Sequence, residues 1–358
     1  MRPLHELDPR RFETTAILKA VATASRQLAE LKGVAASIPN ERILINTLGL
    51  QEAKDSSAIE NIVTTHDELF RSATFPDDIP GPAREVARYR EALSAGFTAV
   101  TKRRLLTTRH ILDVQAEIEP VRRGFRTLPG TALRTDAGQL VYTPPPPNEI
   151  AGLMGDLDRF INDDGRFDAD PLVKMALVHH QFESIHPFYD GNGRTGRIIC
   201  VLYLVKAGLL DIPVLYLSRH IVRTKSDYYR LLQDVRERDA WEDWVLYMLA
   251  AVERTAAEGV ATVDAIRRAL LDVKHAVRRD FKFYSQDLIN DLFMHPYTKI
   301  DFVQRDLRVG RLTAARYLDA LAKAGIVDKR KIGRSNYYIN TRLYGILTGE
   351  TMTEGEGR

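Results

Sequence analysis

His186-Pro187-Phe188-Tyr189-Asp190-Gly191-Asn192-Gly193-Arg194-Thr195-Gly196-Arg197 sets a base, a carboxylate, a glycine-framed turn and two arginines into one short stretch. Residues 171–185 before it read as a helix, and 195–206 after it, rich in Ile, Leu and Val, read as a buried one. The stretch is therefore a loop between two helices. Gly191 and Gly193 are expected to allow positive φ and a close approach of backbone to ligand. The N–H groups that open the second helix are expected to face outward, where an anion can use them. This is the chemistry of a phosphate site that carries its own base. Eight positions are constrained together, and with usage near roughly 5% per residue type such an arrangement arises by chance at a given start on the order of once in 10^10.

The loop resembles the signature H-x-F-x-[DE]-G-N-G-R-x-x-R of the Fic (filamentation induced by cyclic AMP) family and agrees with it at every specified position. The resemblance implies an AMP transferase that moves AMP from ATP onto a protein hydroxyl, with His186 as general base. A histidine can take that role because its pKa lies near the operating pH. It also implies a nucleotide cradle of Gly191, Asn192, Gly193, Arg194, Thr195, Gly196 and Arg197. In it, Asn192 and the backbone N–H groups meet the α- and β-phosphates and Arg197 reaches the γ-phosphate as a charge-assisted fork. Asp190 offers a hard oxygen for Mg²⁺. Phe188 is expected to anchor the loop in the core. A site of His179, His180 and His186 for a transition metal is not expected, since adjacent helical histidines face different ways and no cysteine cluster completes a set.

The helical stretch 50–62 carries Ser56, Glu60 and Asn61, which match the pattern [ST]-x-x-x-E-[GN] of an inhibitory helix found in many Fic proteins. That resemblance implies a Glu60 turned toward Arg197, standing where the γ-phosphate should lie. Ser56, one turn earlier, would steady the same helix face. Tyr229, next to Tyr228, falls where the resemblance expects a residue flanking the nucleotide.

The rest of the 358 residues surrounds this centre. With 44% apolar residues the chain can build real cores, and 51 Lys plus Arg against 48 Asp plus Glu leave the mean charge uninformative. A single cysteine, Cys200, excludes an internal disulfide. Residues 1–12 do not read as a secretory signal, and Lys206, Asp211 and Pro213 interrupt the longest apolar stretch, so a cytoplasmic protein with no membrane contact is expected. The fold expected is mainly α, a Fic-type helical core with a β-hairpin flap, joined to a C-terminal winged helix of α+β class. The divisions expected are 1–105, an N-terminal helical region; 106–255, the catalytic core; 256–285, a linker helix; 286–347, the winged helix; and 348–358, a disordered tail.

Within that frame, 12–32, a segment after Pro39-Asn40, 67–72, 83–102, 108–118, 152–162, 219–236 and 241–252 read as helices, with a Pro/Gly loop at 75–82. Residues 131–143 read as a hairpin turning at Asp136-Ala137-Gly138, the only strand signal before residue 326. In Fic proteins a hairpin at this place holds the target by strand addition. Pro144-Pro145-Pro146-Pro147 follows as a rigid connector. Beyond 285, three short helices and a two-stranded wing including Gly333 and Arg334 carry ten Lys or Arg against four Asp between 296 and 340. That footprint suits either DNA phosphates or protein docking. The partners expected are thus ATP, Mg²⁺ and a hydroxyl-bearing target protein. A homodimer, a DNA-binding regulator using the pocket as a nucleotide sensor, and a hydrolase removing AMP with Glu60 positioning water all stay open.

Overall fold

The computed structural model describes residues 1–72, 81–134, 137–332 and 335–349. The loop expected at 75–82 (up to residue 80), the turn at Asp136, wing residues Gly333 and Arg334, and the tail from 350 lie outside the described residues. The chain is mostly helical: α1 (Thr15–Ala35), α2 (Glu41–Ile59), α3 (His66–Ser72), α4 (Gly81–Arg103) and α5 (Thr108–Ile118) precede a hairpin of β1 (Leu133–Arg134) and β2 (Leu140–Tyr142). Then come α6 (Pro147–Asn162), α7 (Pro171–Ile185), α8 (Asn192–Lys206), α9 (Leu217–Arg223), α10 (Lys225–Arg238) and α11 (Trp241–Asp280). The C-terminal part runs α12 (Gln286–Met294), β3 (Tyr297–Thr298), α13 (Ile300–Leu307), α14 (Arg311–Lys323), β4 (Asp328–Ile332), β5 (Ser335–Ile339) and α15 (Thr341–Thr348).

Local chemistry sets the helix starts. Thr14, Asn40 and Asp170 each accept a hydrogen bond from a first-turn N–H of the helix that follows, and Thr107 with His110 forms a reciprocal capping box. The proline connector shortens because Pro147 is the first residue of α6, where a missing N–H costs nothing. Along α7 every residue from Leu172 to Ile185 is buried, and α8 is nearly so, which marks them as the centre around which the other helices pack. The helix expected at 241–252 and the linker helix expected at 256–285 are one as far as Asp280: α11 runs unbroken through residue 255 with α1 laid along it.

Among the described residues the hairpin is short, pairing Leu133 with Tyr142 and Arg134 with Leu140 around an irregularity. The C-terminal part adds a strand the sequence did not announce. Tyr297–Thr298 pairs with β5 to complete an antiparallel sheet of order β3-β5-β4. This part docks on the helix that ends at Glu60 and on α3 just after it. Phe70 meets the rings of Tyr297 and Tyr344 at 6.1 and 5.5 Å, and the Tyr297 hydroxyl donates to Asp67.

Candidate active site

Helix α7 ends at His186, which takes the left-handed conformation with φ 47° and ψ 58°. Few non-glycine residues sit there, and the turn throws the chain directly into the loop. Pro187 and Phe188 are buried, Phe188 against Phe125 and Phe182, while Tyr189 and Asp190 face solvent. Gly191 caps α8 with φ 75°, as a left-handed turn requires. Gly193 is helical instead, and its role is proximity: a Cβ there would stand 2.7 Å from Glu60 Oε1 and 2.8 Å from Arg197 Nη1. The N–H groups of Asn192, Gly193 and Arg194 open α8 and have no acceptor within it, whereas that of Gly191 donates to Asp190 Oδ1 at 2.6 Å.

The Asn192 side chain does not turn to the cleft. Its amide spans the loop, with Oδ1 accepting from Phe188 N and Nδ2 donating to Phe188 O, both at 2.9 Å, so it stiffens the turn and leaves only its N–H for a ligand. Thr195 is fully buried, its helical position turning it from the side that carries Gly193 and Arg197, and Gly196 packs against α7, where a Cβ would collide with Glu183 Oε1.

Glu60 closes the arrangement from outside the loop. It is the residue that ends α2, and its carboxylate bridges both arginines, Oε2 to Arg194 Nε at 2.7 Å and Oε1 to Arg197 Nη2 at 2.9 Å. Arg197 also donates to Ser56 twice, from Nε to Oγ at 2.7 Å and from Nη2 to the carbonyl at 2.9 Å. Ser56 therefore grips the guanidinium itself. Burial works against the charge of Arg197, but Glu60 and, after it, Tyr228, Tyr89 and Glu183 together outweigh that cost and raise the pKa. Arg194 is further held by Glu85 of α4 at 3.2 Å and lies 3.6 Å from Asp190. Asn61 follows with φ 63° and accepts from Lys225 Nζ at 3.0 Å. Around these groups lies a cleft of about 850 Å³, lined also by His186, Tyr229 and the hairpin residues Leu133, Arg134 and Val141.

Residues 18–98 match the Fic/DOC family N-terminal domain and residues 105–204 the Fic/DOC family domain. This chain belongs to the Fic/DOC family. Residues 271–343 match the C-terminal domain of the SoFic-like protein adenylyltransferases. Protein adenylyltransferase Fic of Culex quinquefasciatus is 30% identical over 163 residues, 44% of this chain and 30% of the relative, and fic-1 of Caenorhabditis briggsae is 28% identical over 126 residues, 33% and 24%. The chain thus spans less than a third of the length of these relatives. The fold is shared with a Fic family protein from Desulfovibrio desulfuricans (TM-score 0.59, 21% identity, 92% of this chain and 96% of that one) and with Fic-1 of C. elegans (0.53, 21%, 70% and 75%).

In this Fic/DOC chain burial, followed by the guanidiniums of Arg126 and Arg236, pushes His186 down to about 4, so its imidazole is neutral near pH 7. His179 and His180 are held apart from it: His179 Nε2 meets the Tyr228 hydroxyl at 2.9 Å and His180 Nε2 the Leu232 carbonyl at 3.2 Å. Both tyrosines border the cleft, but Tyr228 is 2% exposed and packed into the core, whereas Tyr229 is 48% exposed. Two acids that sequence reading passed over complete the surroundings. Glu183, one turn before His186, is buried with Oε1 unpaired, and burial raises its carboxyl to about 7. Glu52, on the same face of α2 as Ser56 and Glu60, is also raised to about 7 by burial, and accepts from Tyr89 Oη and Ser218 N at 3.0 Å each. The spacing 52, 56, 60 is a helical stripe visible in the sequence; nothing local marks Glu183.

Proposed function

We propose that this protein transfers AMP from ATP to a hydroxyl side chain of a target protein and that Glu60 holds the reaction in check. The observation that carries the reading is the Glu60 carboxylate lodged between Arg194 and Arg197, at the mouth of a helix whose free N–H groups share the cleft with a neutral histidine. A carboxylate bound by two guanidiniums occupies the kind of site a phosphate takes. In the reaction the target oxygen bonds to the α-phosphorus as the bond to pyrophosphate breaks, and His186 accepts the hydroxyl proton. The N–H groups of Asn192, Gly193 and Arg194 would hold phosphate oxygens, and Arg197 would take the terminal phosphate once Glu60 leaves. Negative phosphates near His186 favour its protonated form and raise its basicity from the depressed value of the free site.

No group of three metal-ligand side chains gathers among the described residues, which suits an ion shared between one carboxylate and the substrate. Asp190, exposed beside the loop, would hold Mg²⁺ jointly with phosphate oxygens. There it would supply positive charge against the phosphates during transfer.

Tyr229 would flank the adenosine, and the edge of β2 would receive the target segment as an added strand. Residues 286–347, ordered helix, strand, two helices, two strands and a last helix, read as a winged helix. Several of its basic residues are spoken for: Arg311 by Asp301, Lys329 by Asp319 and Arg330 by Asp328. With that charge answered internally and Leu312 at 88% exposure on α14, protein docking is the better supported use than DNA. No helix among the described residues is long and apolar enough to cross a membrane, and the lone buried Cys200 suits a reducing cytosol. Incubating wild type and Glu60→Gly with α-labelled ATP, Mg²⁺ and a cell lysate tests the reading. Label on protein, stronger with Glu60→Gly, is expected; release of label from premodified protein without incorporation would favour the hydrolase instead.

A further inference from the structure

Helix α7 must end somewhere, and its last carbonyls point at the catalytic loop with no intrahelical N–H to receive. Each one is answered by a side chain from the hairpin side of the cleft or from α10. The Glu183 carbonyl accepts from Arg236 Nη2 at 3.3 Å and the Ser184 carbonyl from the Tyr142 hydroxyl at 2.9 Å. The Ile185 and His186 carbonyls accept from Arg126, from Nη2 at 3.5 Å and Nε at 2.9 Å, and the Pro187 carbonyl accepts from Arg126 N at 2.9 Å. The same Arg126 guanidinium donates to Pro145, in the rigid connector just after the hairpin. Arg236 lies over the Tyr142 ring, 4.0 Å from its centroid, and donates from Nε to Ser184 Oγ at 3.0 Å.

Arg126 is 2% exposed, and neither guanidinium has an ion-pair partner among the described residues. A cation taken out of water and held by neutral acceptors is costly unless those acceptors are well placed, and the negative end of a helix dipole supplies that placement. Tyr142 is the last residue of β2, so the hairpin, the connector and the end of α7 are tied into one unit.

We propose that Arg126, Tyr142 and Arg236 form a brace through which the hairpin positions His186, so that a target segment laid along the hairpin also sets the base. This rests on His186 being the base of the proposed reaction. All three are positioning residues. None of the hydrogen bonds given above joins them to the N–H groups of residues 192–194 or to Arg197, so the brace acts on the base and not on the phosphates. A displacement of about 1 Å can cost on the order of 10²-fold in rate.

The test uses the full chain carrying Glu60→Gly, with α-labelled ATP and lysate protein as acceptor. Arg126→Gln and Arg236→Gln should each lower label transfer at least about tenfold while ATP affinity by calorimetry stays within about twofold, and Arg126→Lys should recover part of the rate. Tyr142→Phe, which removes one hydroxyl and leaves the core filled, should lower it about two- to fivefold and keeps the test open if an arginine variant fails to fold. Transfer at the parental rate in all of these, with His186→Ala inactive, would overturn the brace; so would a parallel loss of ATP affinity. Histidine NMR separates the brace from the reaction itself. The His186 ring resonance, assigned with His186→Ala, should shift in Arg126→Gln and Tyr142→Phe, and an unmoved resonance refutes the brace whether or not His186 is catalytic. Should His186→Ala still transfer label while that resonance moves, the reading of the base fails and the brace stands as geometry.

Discussion

The guanidiniums on the two sides of the cleft are held by opposite means. On the phosphate-loop side Arg194 and Arg197 are gripped by carboxylates of other helices, Glu60 and Glu85, whereas on the α7 side Arg126 is gripped by backbone carbonyls and Arg236 by the Glu183 carbonyl and the Ser184 hydroxyl. A carboxylate can be exchanged for a phosphate with little change in geometry; a helix terminus cannot leave. On the proposed function, one side can thus exchange the anion that occupies it, while the other keeps its partners.

The largest expected effect separates the two sides outright. With Glu60→Gly as parent, His186→Ala should reduce AMP transfer by roughly 10² to 10⁴, the usual contribution of a positioned base, and leave ATP binding nearly intact because the α8 N–H groups and Arg197 remain. Incorporation of α-label alongside calorimetry with ATP checks both halves. Equal transfer by the two proteins would remove His186 from the mechanism and leave the cleft with only its binding side.

Next comes the switch. Hydrogen bonds to charged groups are worth roughly 1.5–3 kcal/mol, so freeing Arg197 from Glu60 should raise transfer and self-modification about 10- to 100-fold. Arg197→Ala should lower transfer even where Glu60 is absent. Intact mass spectrometry of AMP incorporation gives the rates, and identical values for wild type and Glu60→Gly would mean that the carboxylate only fills space.

How far these residues could be read from sequence follows the same division. The loop from His186 to Arg197 is legible because covalent spacing fixes the mutual placement of its residues, whereas Ser56 and Glu60 share a helix face by spacing but are singled out only by the family resemblance. Arg126, Glu183 and Arg236 are not, since each acquires its role from a neighbour supplied by another helix. The fold behaved likewise. Caps and apolar periodicity located the helices, while the union of 241–252 with the linker segment into α11 needed α1 beside it, and β3 needed β5. The surplus of basic residues near the C-terminus was legible as a number, but their pairing with Asp301, Asp319 and Asp328 was not.

Glu183 lies between the two sides and tests whether a buried acid near Arg197 acts as a second partner. Its folded pKa of about 7 lies above the ordinary value of 4.5, so it contributes stability that is complete below about pH 4.5 and is lost as pH rises to about 7. Glu183→Gln mimics the protonated form and should escape that loss. Relative to wild type its melting temperature should be unchanged at pH 4 and higher at pH 8, by the equivalent of at most about 3 kcal/mol. A variant that is less stable at pH 8 would show the ionised carboxylate bound to Arg197 after all, and the phosphate side would then carry a permanent counter-charge.

The smallest effect is expected at Glu85. Its carboxylate lies 3.2 Å from Arg194, yet its side chain is 39% exposed, against 23% for Glu60. Pairs with one end in solvent contribute roughly 0–1 kcal/mol, and Arg194 stays bound to Glu60 when Glu85 is lost. Glu85→Gln alone should then change transfer by less than about threefold, and the change should shrink further at high ionic strength as screening shortens the reach of an exposed charge. Added to Glu60→Gly it should matter more, because Glu85 becomes the nearest anion left on Arg194 outside the loop and competes there with an incoming phosphate. Transfer rates for the two single variants and the double variant, at low and high salt, give this directly. If Glu85→Gln by itself activated as strongly as Glu60→Gly, inhibition would follow from total negative charge at the cleft and not from one carboxylate bridging two arginines, and the contrast between a switchable side and a fixed one would lose its structural basis.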